Sequence, residues 1–365
     1  MKNVLPPNLN SAPTAPNMLT PAQDSLKLNS SVLKSQKPKK SRLKYFLVLI
    51  LFLVIGAAVV FLFDFYLITD TIASFSYQPS SEIAAIAERI SLTGKGERIL
   101  KASHAELQNA DDFNTNCPND TKETSVLGCY YDWHIYVYDI DNRELDGIKE
   151  AVLSHELLHA VWQREKNWTK EELTPLLQST YEKYKGDLEE HMKTYDDSYF
   201  VDELHSIIGT QIAPSALPME LREHYAQIFK NHTQIVTYFN RYNSKFVSLR
   251  KELAETGEII EQMKKEIETK TEAYRQKTET LSKDIDTFNW NAANGLYGDN
   301  STQFETDRTQ LISRQETLNK EYQTIVDLVD ETNKLVEEYN NNVVRSSNLY
   351  SSINSNIKKP DSIKK

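Results

Sequence analysis

A chain of 365 residues with a formal net charge of −10 has room for more than one structural unit, and its acidity argues against nucleic acid as a partner. The charge is unevenly placed: the first 44 residues carry +7, which leaves −17 for the remainder and no basic patch for a membrane surface there.

Residues 1–44 are rich in Pro, Asn, Ser and Thr, hold little that could bury a core, and are expected to form a disordered tail. Tyr45 to Phe63 is a run of 19 residues without a charge. At ~1.5 Å per residue it spans ~28 Å, close to the hydrocarbon thickness of a bilayer, and reads as a transmembrane helix. The long segment before it and the lack of small residues at Phe61-Leu62-Phe63 separate it from a cleaved signal peptide. Lys37, Lys39, Lys40, Arg42 and Lys44 precede the run, and no Lys or Arg follows until Arg89. That asymmetry places the N-terminus in the cytoplasm and the remainder outside the membrane. Ile83 to Leu107 reads as helical, either a stalk or the first element of a folded domain.

Cys117 and Cys129, the two cysteines of the chain, flank a polar loop with Pro118, Asn119, Asp120 and Gly128. On the outer side of a membrane a disulfide is the natural pairing, with a second zinc site as the rival. His134 to Ile140 alternates between side-chain classes and is rich in β-branched and aromatic residues, which spells a strand.

Asp146 to Lys166 then reads as one helix without proline. Ile148, Val152, His155 and His159 fall along one stripe, and Leu153, Leu157, Ala160 and Val161 cover the others, so the helix belongs in a core. Within it Ser154-His155-Glu156-Leu157-Leu158-His159 carries the His-Glu-x-x-His pattern. Residues i and i+4 share a helical face, so both imidazoles can bind one Zn²⁺ while Glu156 leans over the open coordination position. Buried polar groups left unpaired cost about 1–3 kcal/mol each, so either a metal ion or a hydrogen-bonded core cluster has to satisfy these three. A metzincin pattern would need Gly at 162 and His at 165, but Trp162 and Glu165 stand there. The best downstream third ligand is Glu203, in a helical-looking stretch from Tyr199 to Thr210, with His205 as the alternative.

On His155, Glu156, His159 and Glu203 the chain resembles the gluzincin zinc metallopeptidases, over about Tyr131 to Phe229. It is also similar to membrane-anchored bacterial proteins of uncharacterised function in which a Glu-Leu-His-Ser segment follows the His-Glu-x-x-His helix. The resemblance implies an α+β zincin-like catalytic domain, mostly helical with a small sheet, spanning 74–229. It implies one Zn²⁺ on His155, His159 and Glu203, Glu156 as general base, protein or peptide substrates, and an edge strand before the helix to hold the substrate backbone. A thermolysin-type pattern would place Asp at position 207; Ile207 stands there, so Asp202 or a residue from elsewhere has to orient a zinc-bound imidazole. An oxyanion donor is expected from His224 or Tyr225, with Tyr195, Tyr199 and His205 as rivals.

Past Phe229, Phe246, Leu253, Ile260, Ile267, Tyr274, Leu281 and Phe288 recur every seven residues. A break at Asn291 to Asn300 is followed by a second ladder of Leu318, Tyr322, Ile325, Val329, Val336, Tyr339 and Val343, which Thr332 interrupts. Two arms of similar length predict a long antiparallel coiled-coil hairpin over 230–345, with a frayed tail over 346–365. The expectation is therefore a membrane-anchored zinc peptidase with a helical arm that can dock an envelope protein. The competing expectation is an envelope scaffold in which the arm is the working part and the zinc domain is structural or inactive.

Overall fold

The computed structural model describes residues 42–63, 65–117, 126–193, 195 and 197–356. The chain divides into two units, 1–60 and 61–365. In the first, helix α1 (Arg42–Phe63) exposes its large apolar side chains between Leu43 and Val59. Among the described residues no helix is long and apolar enough to cross a membrane. Side chains of α1 are described over 43–59, and the expected span, 45–63, ends past them. The expected tail lies outside the described residues up to position 41.

The second unit is mostly helical with a small sheet. Its first helix, α2 (Phe65–Ser76), packs on α4 (Gly94–Ala102), so the folded body begins before residue 74. Between them lies α3 (Ser81–Ile90), and the expected helical stretch 83–107 is thus two helices followed by a strand. The side chains of Ser80 and Thr93 accept the orphan N–H groups of Ile83 and Gly96 at the two helix starts, and Ser91, at φ 53°, turns the chain between them.

Three strands form the sheet: β1 (Glu106–Gln108), β2 (Gly128–Tyr131) and β3 (His134–Tyr138), in the order β1-β3-β2. Strand β3 is parallel to β1, with Leu107 opposite Val137, and antiparallel to β2, with Cys129 opposite Tyr136. The strand read from His134 onward is therefore the centre of the sheet and not its edge. Its second side is taken by β1, a strand too short to show an alternation of its own. The edge nearer the site is β2. Helix α5 (Ala110–Asn116) precedes it, and Cys117 and Cys129 sit at disulfide distance, Cα to Cα 6.0 Å, joining the end of α5 to β2.

The core is organised around α6 (Ile148–Arg164), whose Leu153, Leu157, Leu158, Ala160 and Val161 have no exposed surface. Each fully buried Leu or Val of this kind contributes about 1.5–3 kcal/mol. Helix α7 (Asn167–Met192) and α8 (Asp197–Gln211) follow, with Leu204, Ile207 and Ile208 of α8 buried against α6. Gly209 permits this crossing: a Cβ there would lie 2.5 Å from Leu158 Cδ1 and 2.5 Å from Tyr225 Cε1. Tyr225 belongs to α9 (Met219–Ala226).

The hairpin comprises α10 (His232–Ala293) and α11 (Ser301–Ile353). Aromatic pairs Phe246–Tyr350, Tyr274–Tyr322 and Phe288–Phe304 set its antiparallel register from root to tip. Thr332 does not interrupt the seam. It is buried there, its hydroxyl donating to the Leu328 carbonyl 2.7 Å away, so its polar group is satisfied within its own helix. The expectation of a frayed tail from 346 is also corrected, because α11 continues to Ile353, Leu349 is buried, and Ser355 hydrogen-bonds Asn114 at 2.7 Å. Residues 357–365 of that tail lie outside the described residues. At its root α10 packs on α6 and α8 through buried Ile235, so arm and body share one core.

Candidate metal centre

Helix α6 presents His155 and His159 on one side, one turn apart, with their Nε2 atoms 3.1 Å from each other. Helix α8 brings Glu203 against them: Oε1 is 3.3 Å from His155 Nε2 and Oε2 is 3.3 Å from His159 Nε2. Ligand atoms of these three residues can all lie within 4.8 Å of one another, a grouping that could hold a metal ion. The spacing tests the fit, because ligands ~2.0–2.1 Å from a tetrahedral zinc stand ~3.3 Å apart. Three neighbouring donors at 3.1–3.3 Å therefore suit a small tetrahedral cation without rearrangement.

Asp202 supplies the support that Ile207 cannot. Its Oδ1 is 2.9 Å from His159 Nδ1, which donates to it, and this orients the ring so that Nε2 faces Glu203. Burial opposes a charge on His159, but the Asp202 and Glu203 carboxylates outweigh it and raise its pKa well above the usual imidazole range. Burial likewise pushes the Glu203 carboxyl up, yet the facing imidazoles of His155, His159 and His191 hold it well below the carboxylate range. The centre is thus a compact cluster of imidazoles paired with two carboxylates.

Glu156, at 6% exposure, lies beside the edge strand. A Cβ on Gly128 would fall 2.6 Å from Val152 Cγ1, and 2.8 Å from both Glu156 Cγ and Oε1. The backbone of β2 approaches α6 this closely only because position 128 has no side chain. Leu127 O accepts from Tyr138 N, so the alternation of an antiparallel ladder turns the N–H and C=O of Gly128 and Tyr130 away from β3.

The expected oxyanion donors are placed elsewhere. Two residues along a helix is a turn of ~200°, so His205 faces away from Glu203's partners and packs against Trp162, with ring centroids 4.8 Å apart and the planes tilted by 32°. There His205 Nε2 meets His224 Nε2 at 2.9 Å, and the Tyr225 hydroxyl donates to the His205 carbonyl at 2.8 Å. All three are buried, so His224 and Tyr225 are interior partners of His205, and His205 is outside the ligand group. Tyr199 is exposed. The residue missed by sequence reasoning is His191, whose Nε2 stands 3.3 Å from Glu203 Oε1. It lies in the last turns of α7, beyond a break in the helical dihedrals at Tyr184, and its ring is 5.5 Å from that of Tyr195. Only its place among the eight histidines of the chain could have marked it.

No family model matches the chain, and no curated protein or solved structure matches it.

Proposed function

We propose that the chain is a membrane-anchored, zinc-dependent metallopeptidase that hydrolyses peptide bonds of extracytoplasmic proteins or peptides. The observation that carries the reading is the three-donor group of His155, His159 and Glu203 at tetrahedral spacing, with Glu156 one residue from the first ligand and beside a sheet edge. When bound, zinc supplies Lewis acidity and lowers the pKa of water at the site. The protein does the rest. His155, His159 and Glu203 hold the ion, and Asp202 keeps His159 in the ligating tautomer. The outward N–H and C=O groups of Gly128 and Tyr130 are positioned to bind an extended peptide as an added strand. Glu156 accepts the proton of the attacking water and delivers it to the leaving nitrogen. His191, 3.3 Å from Glu203 Oε1, with Tyr195 beside its ring, is the candidate donor to developing oxyanion charge.

A fourth protein ligand would close the site and make it structural. Among the described residues His191 raises this reading, and its 46% exposed side chain, outside the set of mutually close ligand atoms, favours a role at the mouth of the site.

The membrane anchor and outward orientation rest on the uncharged run 45–63, the basic residues before it, and the paired cysteines, which suit an oxidising compartment. The test is Glu156→Gln in the full-length protein. Zinc content should be unchanged and peptide hydrolysis lost by at least ~10²-fold. A wild-type chain that purifies without bound zinc and cannot be loaded with it removes the proposal.

A further inference from the structure

Helix α2 is built inside out. Its buried residue is Asp70, whose carboxylate oxygens lie 2.8 and 3.0 Å from Arg164 Nε. Arg164, the last residue of α6, also donates to the Tyr130 hydroxyl at 3.0 Å and the Ala160 carbonyl at 2.9 Å, and its guanidinium lies 5.1 Å from the centre of the Trp133 ring. Exposed Phe65, Ile72 and Phe75 share one face of α2 at spacings i, i+7 and i+10, with half-buried Ile68 between them and exposed Leu67 to one side. Ile72 is 67% exposed and Phe75 81%. In water this arrangement leaves apolar side chains exposed while an ion pair takes the interior place.

The neighbouring surface has the same character. Tyr66 lies 5.9 Å from Trp133, ring to ring, and Tyr131 and Trp133 are both exposed. Asp132 and Trp133 form the β2–β3 turn with φ of 48° and 67°, a left-handed conformation that bulky residues seldom adopt. The turn holds a partly exposed indole against Tyr66 and the Arg164 guanidinium, and the Tyr66 ring in turn lies 5.5 Å from that of Phe65 at the start of the stripe.

We propose that this face of α2, together with Trp133, is seated in the headgroup region of the bilayer that the 45–63 run enters, an inference that rests on the membrane-anchored reading above. A lipid surface is favoured over a protein partner by covalent distance. A single residue, at position 64, separates the end of the uncharged run from the start of α2. The helix therefore begins where the chain leaves the hydrocarbon. Phe, Ile, Trp and Tyr are the side chains that partition at this level, and the stripe contains no Lys or Arg. The attraction is therefore apolar, which reconciles it with the acidity of the outer body and predicts binding to zwitterionic lipid.

The test places a nitroxide on one introduced cysteine, at Ile72→Cys or Phe75→Cys, in the full-length chain reconstituted in phosphatidylcholine vesicles. Accessibility to dissolved oxygen and to a nickel chelate is read against Ile50→Cys in α1 and Glu279→Cys on the arm. All four side chains are exposed, so the substitutions leave the core intact. The expected result is loss of nickel accessibility and gain of oxygen accessibility at 72 and 75 relative to 279. If 72 and 75 match 279 while 50 stays shielded, the seat is overturned and the anchor stands. If 50 also matches 279, the anchor reading falls and the seat with it. Spin–spin broadening at 72 that vanishes on dilution with unlabelled chain assigns the stripe to a second copy and overturns the lipid seat.

Discussion

Gly128→Ala adds one methyl group where β2 lies against α6. The new Cβ would sit 2.6 Å from Val152 Cγ1, short by about 0.8 Å of the 3.4 Å at which ordinary contact begins. It would also sit 2.8 Å from Glu156 Cγ and Oε1. Val152 is β-branched and held in a buried helix, so it cannot swing away, and the clash is relieved by lifting β2 or turning Glu156. Overpacking of this kind costs about 1–3 kcal/mol in stability. A displacement near 1 Å at a catalytic base lowers turnover by about 10²-fold. The ligands His155, His159 and Glu203 are untouched, so zinc affinity should stay within a factor of about two of the parent. Peptide hydrolysis, zinc content and thermal melting measured on one preparation separate these effects. Full turnover in Gly128→Ala at unchanged zinc content would refute the placement of Glu156 against β2 as the working geometry.

Asp202→Ala should weaken zinc binding by about 10–100-fold in chelator competition, because His159 loses the acceptor at its Nδ1; unchanged affinity would show that bond to be idle. Asp70→Ala leaves Arg164 buried without its carboxylate and should lower the unfolding free energy by about 3–5 kcal/mol in urea titration, a loss below ~1 kcal/mol counting against a dry pair. Burial lowers the pKa of His224 to about 4 and that of His205 well below the usual range, so between pH 6.5 and 4 the unfolded chain takes up protons that the folded chain refuses. Stability is then complete above pH 6.5 and falls as pH drops toward 4, by about 3 kcal/mol from His224 alone, and His224→Gln should flatten that limb.

The candidate centre was legible where its geometry is local. His155 and His159 meet because i and i+4 share a helical face, and that relation is written in the spacing itself. Glu203 and Asp202 could be named from the run that carries them, since α8 needs only to cross α6 at the right height. His191 was not legible, because its approach to Glu203 depends on the break at Tyr184 and on how α7 returns along α8. The meaning of Gly128 lies in the gap between β2 and α6, a tertiary distance that no pattern within either segment records. The strand before α6 was recognised but taken for an edge, because three residues of β1 are too few to show periodicity. The heptads of α10 spelled the arm correctly, whereas its end was misjudged: Tyr350 and Ser355 look like part of a polar tail until they are seen against Phe246 and Asn114.

Helix α10 runs unbroken for 62 residues, ~93 Å, from the core to the tip of the arm. Its first residue, His232, hydrogen-bonds the carbonyl of Gly209 at 2.7 Å, where α6 and α8 cross most closely. A rod clamped at one end is a lever, and a 5° tilt that sweeps its far end by about 8 Å moves its first turn by only about 0.5 Å. Half an ångström is small for a surface and large for the spacing of Glu203 against two imidazoles. A displacement at the distant tip is thus geared down at the root to the scale of a hydrogen-bond length.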